Sequence, residues 1–213
     1  MNRVGVCNVI DGSGLLTTGP LLVASGNPGK VKVLRGYLDG LPRELRFLTD
    51  FPDIPEVAET GNTFEENAVL KARGYARASG LRTLADDSGL EVEALGQAPG
   101  IYSARYGGPE LSDRDRCELL LRNLADTGDA ARRARFVCVV AVALPTGETE
   151  LFRGERIGCI AEHMKGEYGF GYDPVFVPEG HARTYAQMEP EFKSGISHRQ
   201  AAMAAAVSFL MGE

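Results

Sequence analysis

The stretch Leu84-Ala85-Asp86-Asp87-Ser88-Gly89-Leu90-Glu91-Val92 sets two adjacent carboxylates after a short apolar run. Neighbouring side chains on extended backbone point to opposite faces, so one acid at most can face a given pocket. Acids at a strand end are a common way to hold a divalent cation or to take a proton from water. Ser88-Gly89 reads as a turn closing the first strand, with Leu90, Val92 and Ala94 lining one face of a second. On these residues alone, a polar turn that uses Asp and Ser for local backbone bonds explains the pattern equally well.

Four other groups of residues, and the single acid Glu59, have the types and placement for chemistry. Ser25-Gly26-Asn27-Pro28-Gly29-Lys30 joins a strand to a helix start, where free amides and a lysine attract anions. It fails the Walker pattern: Val31 stands where Ser or Thr should follow the lysine, and the leading glycine is missing, which excludes a P-loop NTPase. On a following helix, Phe64, Asn67 and Lys71 share one face, so Asn67 and Lys71 can reach a phosphate or the acid pair, unless the face is simply solvated. Glu59 is a loop acid able to help hold a cation. In Glu167-Tyr168-Gly169-Phe170-Gly171-Tyr172-Asp173-Pro174, aromatics suit a planar base and glycines let backbone approach it; the alternative is a loop whose rings join the core. Ser197-His198-Arg199 brings two side-chain donors to a helix start, with Lys193 four residues upstream. The scattered Cys and His residues build no metal site and no nucleophile–His pair.

The elements that must position these groups follow from periodicity. The fold is expected to begin with a buried strand at Leu21-Leu22-Val23-Ala24. Val31, Leu34, Tyr37, Leu38 and Leu41 then recur at helical spacing. Thr63 and Glu66 predict a capping box for a helix running to Ser79 and stopping at Gly80. Ser112 opens a helix burying Cys117, Leu120, Leu121 and Leu124. Phe136 to Leu144 reads as a central strand covered on both faces. A turn at Pro145-Thr146-Gly147 leads to a strand at Glu150-Leu151-Phe152, then a longer one through Ile157 and Ile160. Ser197 and Gln200 predict a capping box for a last helix with Met203, Ala206, Val207 and Leu210 inward. Helices alternate with strands first and hairpins follow, so the expected class is α/β with a mixed sheet and flanking helices.

The chain has 213 residues, 44% hydrophobic and 24% charged, which suffices for a sizeable core. Residues 1–20 are rich in turn formers and read as a flexible extension, leaving 21–213 as one domain. No apolar run approaches the ~20 residues of a membrane span, and no signal peptide is evident, so a cytoplasmic protein is expected. The net charge of −6 argues against a nucleic acid polymer as partner. Cys7, Cys117, Cys138 and Cys159 are expected to be reduced, the last three lying in apolar patterns.

Taken in order, Ser25-Gly26-Asn27-x-x-Lys30, Glu59-Thr60-Gly61-x-Thr63-Phe64-x-Glu66-Asn67-Ala68, Ala85-Asp86-Asp87-Ser88-Gly89-Leu90, Pro99-Gly100-Ile101-Tyr102-Ser103-Ala104-Arg105-Tyr106, Phe170-Gly171-Tyr172-Asp173-Pro174 and Lys193-x-x-x-Ser197-His198-Arg199 resemble the inosine triphosphate pyrophosphatase family. The resemblance runs from about Leu21 to the C-terminus. It implies a strongly twisted mixed sheet, two lobes around a deep nucleotide cleft, and a homodimer. It also implies Mg²⁺-dependent cleavage of ITP, dITP and XTP to monophosphate and pyrophosphate. Carried over by position, Ser25, Gly26, Asn27, Pro28, Gly29 and Lys30 hold the triphosphate, with Lys71 assisting. By the same resemblance Glu59 and Asp87 would hold Mg²⁺, Asp87 would be the proton acceptor, and Ser88 would contact substrate. Phe170, Gly171, Tyr172, Asp173, Lys193, His198 and Arg199 form the base pocket. Many relatives carry a second acid where Ala58 stands, which leaves Glu66 as the alternative second metal ligand. A pyrophosphatase for modified pyrimidine nucleotides and a nucleotide sensor without turnover are the rival readings.

Overall fold

The computed structural model describes residues 19–125 and 132–212. Cys7 and most of the expected N-terminal extension lie outside the described residues. Six strands form one mixed sheet in the order β2-β1-β3-β4-β5-β6, from β1 (Leu21–Val23), β2 (Leu45–Phe47), β3 (Arg82–Val92), β4 (Arg133–Ala143), β5 (Thr149–Ile160) and β6 (Phe176–Pro178). β1 pairs in parallel with β2 and β3, and every later pairing is antiparallel. The helices are α1 (Pro28–Tyr37), α2 (Phe64–Ser79), α3 (Asp113–Asn123), α4 (Pro190–Ile196) and α5 (His198–Met211).

The long strands carry three cores. α2 packs Phe64, Ala68, Ala72 and Ala76 on one face, against Ala85 of β3 and Val137, Val139 and Ala141 of β4. On the other face, α1 and α5 cover Leu84, Cys138, Val140 and Val142. Farther along that same face, Leu90, Val92 and Phe136 join α3, Tyr172, Phe176 and Tyr185 in a separate core. An 11-residue strand spans about 36 Å, so β3 and β4 run through both cores of that face. The two expected lobes are these two cores, and the cleft opens where one gives way to the other.

Several expectations change at this level. The acid pair is followed by no turn: Arg82–Val92 is one continuous strand, with Asp86 opposite Val140 and Asp87 opposite Val139. Gly89 is needed for close approach, because a Cβ there would collide with the Gly100 carbonyl and the Ser103 hydroxyl. Likewise β5 is one strand where two were expected. Leu41 falls beyond α1, and Ala94 lies in a 3-10 turn and is exposed. The short β2 and β6 carry too few residues to show a period.

The helix starts largely follow their caps. Thr63 Oγ1 accepts from Glu66 N at 3.1 Å, while Glu66 Oε2 accepts from Asn62 N at 2.6 Å, so the return half of that box falls one residue early. Ser197 caps α5 by accepting from Gln200 N. Gly80 ends α2 in the left-handed conformation at φ 70°. Among the described residues, Cys117, Cys138 and Cys159 are free thiols, and burial pushes the first two up to about 12. Cys159 is exposed, contrary to its apolar pattern. No helix among the described residues is long and apolar enough to cross a membrane.

Candidate active site

The cleft lies where β1 runs out. β1 ends at Val23 beside Leu84, whereas β3 continues for eight residues to Val92. The open edge of β3 is covered again only from Leu90, whose amide donates to Ser103 Oγ at 2.9 Å. Between those points Asp86 and Asp87 have no strand beside them on that edge, in front of the loop leaving β1. Ligands of open α/β sheets settle at such positions, beyond the carboxyl ends of parallel strands.

The two acids serve opposite faces. Asp86, 2% exposed, shares its face with Ser88 and is bound by Lys30 Nζ at 3.0 Å; Arg199 Nε lies 3.8 Å away. Arg199 Nη2 also donates to Ser88 Oγ at 2.8 Å. Burial alone would raise the Asp86 carboxyl, but Lys30, Arg199 and Lys71 overcome it and hold the group well below the usual carboxylate range. Asp87 turns toward α2, where Asn67 Nδ2 donates to its Oδ2 at 3.2 Å and Lys71 Nζ reaches its Oδ1 at 3.4 Å. Here burial prevails over Lys71 and Lys30, and Asp87 is raised above the ordinary range. One strand thus presents a carboxylate that stays charged and a neighbour that accepts a proton more readily.

Lys71 ties Asp87 to Glu59, its Nζ lying 2.6 Å from Glu59 Oε1. Burial would lower Lys71, yet Asp87, Asp86 and Glu59 raise it, so the ammonium is secured. Glu59 in turn is lowered: burial opposes, but Lys71 and Arg105 outweigh it. The Phe64–Asn67–Lys71 face of α2 is therefore buried rather than solvated. Glu66 is exposed and turned back to Asn62, away from Asp87.

Glu59 and Asp87 direct oxygens at one point, which Lys71 occupies. Two carboxylates suit Mg²⁺, which takes its other ligands from water and phosphate oxygens. Among the described residues, no group of three or more His, Cys, Asp or Glu is arranged to hold a metal by itself. The donor set therefore fits a cation brought in with phosphates.

Ser25 to Lys30 closes the cleft on the other side. Pro28 stands at the first turn of α1, where its missing amide costs nothing, and Asn27 caps the helix by accepting from Lys30 N at 3.1 Å. Asn27 N in turn donates to Ser25 Oγ. Gly29 lies close to this machinery: a Cβ there would sit 3.2 Å from Asn27 Oδ1 and 3.3 Å from the Phe170 ring. With Glu59, Lys71, Asp86 and Arg105, residues 24–27 and Lys30 line a cavity of about 840 Å³.

A second cavity opens beside it, sharing Asn27, Lys30 and Ala104 with the first. Its walls carry Ser88, Phe170, Tyr172, Asp173, His198 and Arg199. Asp173 is engaged by its own loop: Oδ2 accepts from Phe170 N at 2.8 Å and pairs with Lys193. The Tyr172 ring joins the core and its hydroxyl donates to Ser103 O at 2.9 Å. Gly171, at φ 60°, gives its amide to Asp113 Oδ2 at 2.7 Å. Of the three expected aromatics, Phe170 presents its ring beside Arg199, at 5.5 Å, and Tyr168 is exposed. The His198 ring stacks on Phe136 with centroids 4.6 Å apart, and both its nitrogens are buried with no hydrogen-bond partner among the described residues.

Burial, Arg199 and Lys193 together depress His198 well below 6.5, so it is neutral at pH 7. Between the folded value and about 6.5, the unfolded imidazole holds a proton that the folded one does not. Stability from this group is complete above about pH 6.5 and is lost as pH falls below it, at up to ~1.4 kcal/mol per pH unit. His198→Gln is expected to flatten the pH dependence of urea-unfolding free energy in that window by this amount. Identical slopes for both proteins contradict it.

Sequence reasoning missed three contributors. Asp86 was given no role beside Asp87, because alternation suggested that it faces elsewhere. Phe136 read only as strand core. Arg105 belonged to a recognised motif, but nothing in its spacing tied it to Glu59, 46 residues earlier, whose Oε2 it reaches at 3.3 Å.

The Ham1 family model matches residues 21–209. A dITP/XTP pyrophosphatase of an Exiguobacterium species is 51% identical over 183 residues, covering 86% of this chain and 92% of that protein. One from Streptomyces avermitilis is 49% identical, covering 84% and 90%. Among solved structures, a HAM1 protein from Coxiella burnetii superposes with TM-score 0.85 at 38% identity, covering 91% of this chain and 99% of the other. The Staphylococcus aureus Ham1 protein does so with TM-score 0.82 at 43% identity, covering 91% and 98%. With its sequence matched over nearly all of the described fold and its architecture shared with solved members, the chain belongs to the Ham1 family.

Proposed function

We propose that the protein is a nucleoside triphosphate pyrophosphatase that hydrolyses dITP, XTP and ITP to the monophosphate and pyrophosphate, clearing them from the nucleotide pool. The observation that carries this reading is a pair of contact series, one on each face of β3, joined only by the peptide between Asp86 and Asp87. One runs from Arg199 and Ser88 through Asp86 to Lys30, the other from Asp87 through Lys71 to Glu59 and Arg105. Arg199, the acid pair and the cavity holding Lys30, Lys71 and Arg105 follow one another in the order that the base, α-phosphate and terminal phosphates of a nucleotide would need.

In this reading Ser25 to Lys30 and Lys71 bind the triphosphate, whose roughly four negative charges call for several donors. Asp87 takes the proton from a water attacking the α-phosphorus, and the bond to the bridging oxygen breaks to release pyrophosphate. Glu59 and Asp87 would hold Mg²⁺, which when bound neutralises charge on the phosphates and on the departing pyrophosphate. Ser88 contacts the substrate near the acid pair, and Phe170, Gly171, Tyr172, Asp173 and Lys193 shape the base pocket.

Arg199 supplies a donor for the carbonyl at the purine 6-position. A neutral His198 has one N–H and one acceptor nitrogen, so it matches a base edge that carries both functions. An adenine amino group would meet the arginine donor unpaired, a mismatch that can discriminate by ~10⁴. The family resemblance supports a cytoplasmic homodimer built from residues 21–213. The test is purified protein with Mg²⁺ and a panel of nucleoside triphosphates, scoring pyrophosphate against orthophosphate. ITP left intact, or losing only its terminal phosphate, overturns the reading.

A further inference from the structure

We propose that Arg105 is the residue that grips the pyrophosphate end of the substrate and holds the leaving pyrophosphate, an assignment that rests on the reading above. Arg105 ends the 3-10 turn Gly100–Arg105, which is fixed to the sheet by Ser103: its hydroxyl accepts from Leu90 N and donates to Gly100 O at 2.7 Å. The turn runs along the cleft, so that Ser103 and Ala104 border the base cavity, and Ala104 and Arg105 border the larger cavity that holds Lys30, Lys71 and Glu59. Arg105 ends one contact series and Arg199 the other, with Asp86 and Asp87 between them.

The guanidinium is placed to meet a ligand. It lies over the Tyr102 ring at 5.1 Å and donates from Nη1 to Glu59 Oε2 at 3.3 Å, while 40% of its side chain remains accessible. The aromatic shelf restricts the arginine's rotamers, so less freedom is lost when an anion docks. A planar fork with five donors suits phosphate oxygens bidentately, whereas Lys30 and Lys71 act as point charges. Lys30 and Lys71 are already drawn to the two aspartates, close to where the α-phosphate must lie for Asp87 to act. That leaves Arg105 and the cavity beyond Glu59 for the β- and γ-phosphates.

The assignment separates the two products. Isothermal titration calorimetry with inorganic pyrophosphate, with and without Mg²⁺, and in parallel with inosine monophosphate, tests it on wild type, Arg105→Ala and Arg105→Lys. Arg105→Ala should weaken pyrophosphate roughly 10- to 100-fold, the equivalent of one or two charged hydrogen bonds, with inosine monophosphate changed less than about 2-fold. Arg105→Lys should recover part of the loss, because it keeps the charge without the fork. Product inhibition of ITP cleavage by pyrophosphate should weaken in step. Unchanged pyrophosphate affinity in Arg105→Ala, or an equal loss for both ligands, overturns the inference while leaving the proposed reaction standing. Wild-type protein that releases no pyrophosphate from ITP overturns the reaction itself, and this assignment with it.

Discussion

Asp87→Asn is expected to lower kcat for ITP by roughly 10²–10⁴ while leaving KM nearly unchanged. The amide has the shape of the carboxylate and can still accept from Asn67 Nδ2, now 3.2 Å away. Lys71 keeps its 2.6 Å contact with Glu59, so the cavity that they line is retained. What disappears is the buried carboxylate whose pKa is raised above the ordinary range, the group assigned as proton acceptor. Because burial already penalises the charged form of Asp87, an uncharged replacement should not destabilise the fold. Single-turnover kinetics at saturating ITP, with urea unfolding as the control for folding, measure both effects. Turnover at the wild-type rate removes Asp87 from the mechanism.

Arg199→Ala should produce the second large effect, on selectivity rather than turnover. The preference for ITP over ATP in kcat/KM, which a buried polar mismatch can raise to ~10⁴, is expected to fall toward unity. Truncation removes a donor from the wall of the cavity proposed to take the base and takes from Ser88 its 2.8 Å partner. It also leaves buried Asp86 with Lys30 as its nearest cation, so some loss of stability accompanies it. Arg199→Lys distinguishes the two consequences: it keeps a charge near Asp86 but not the planar fork. Restored stability without restored selectivity is the expected outcome. ITP/ATP discrimination unchanged in Arg199→Ala breaks the base-pocket assignment.

Much of this fold was legible in local sequence because its signals are local. Thr63, Gly80, Ser112 and Ser197 mark helix ends through bonds that span three or four residues. The apolar run of β4 reads as buried on both faces because helices do cover both. Ser88-Gly89 misled for a definite reason. Glycine serves turns and close approaches alike, and the neighbour it admits here, the Gly100–Arg105 turn, is distant in sequence. The exposed Cys159 and the two short strands likewise depend on what lies beside them in the sheet.

The sequence by itself determined the chemical vocabulary: an acid pair on extended backbone, a loop-and-lysine helix start, an aromatic-glycine loop, and a histidine–arginine pair at a capped helix. Their order along the chain was enough for the family resemblance. Tertiary structure alone decided the pairing of charges. Asp86 belongs with Lys30 and Arg199, and Asp87 with Asn67 and Lys71, because alternation sends adjacent side chains to opposite faces and different helices cover those faces. Whether a buried carboxylate ends with a lowered or a raised pKa depends on the cations around it, and the partners that settle it here lie 15 to 113 residues away, from Lys71 to Arg199 as counted from Asp86.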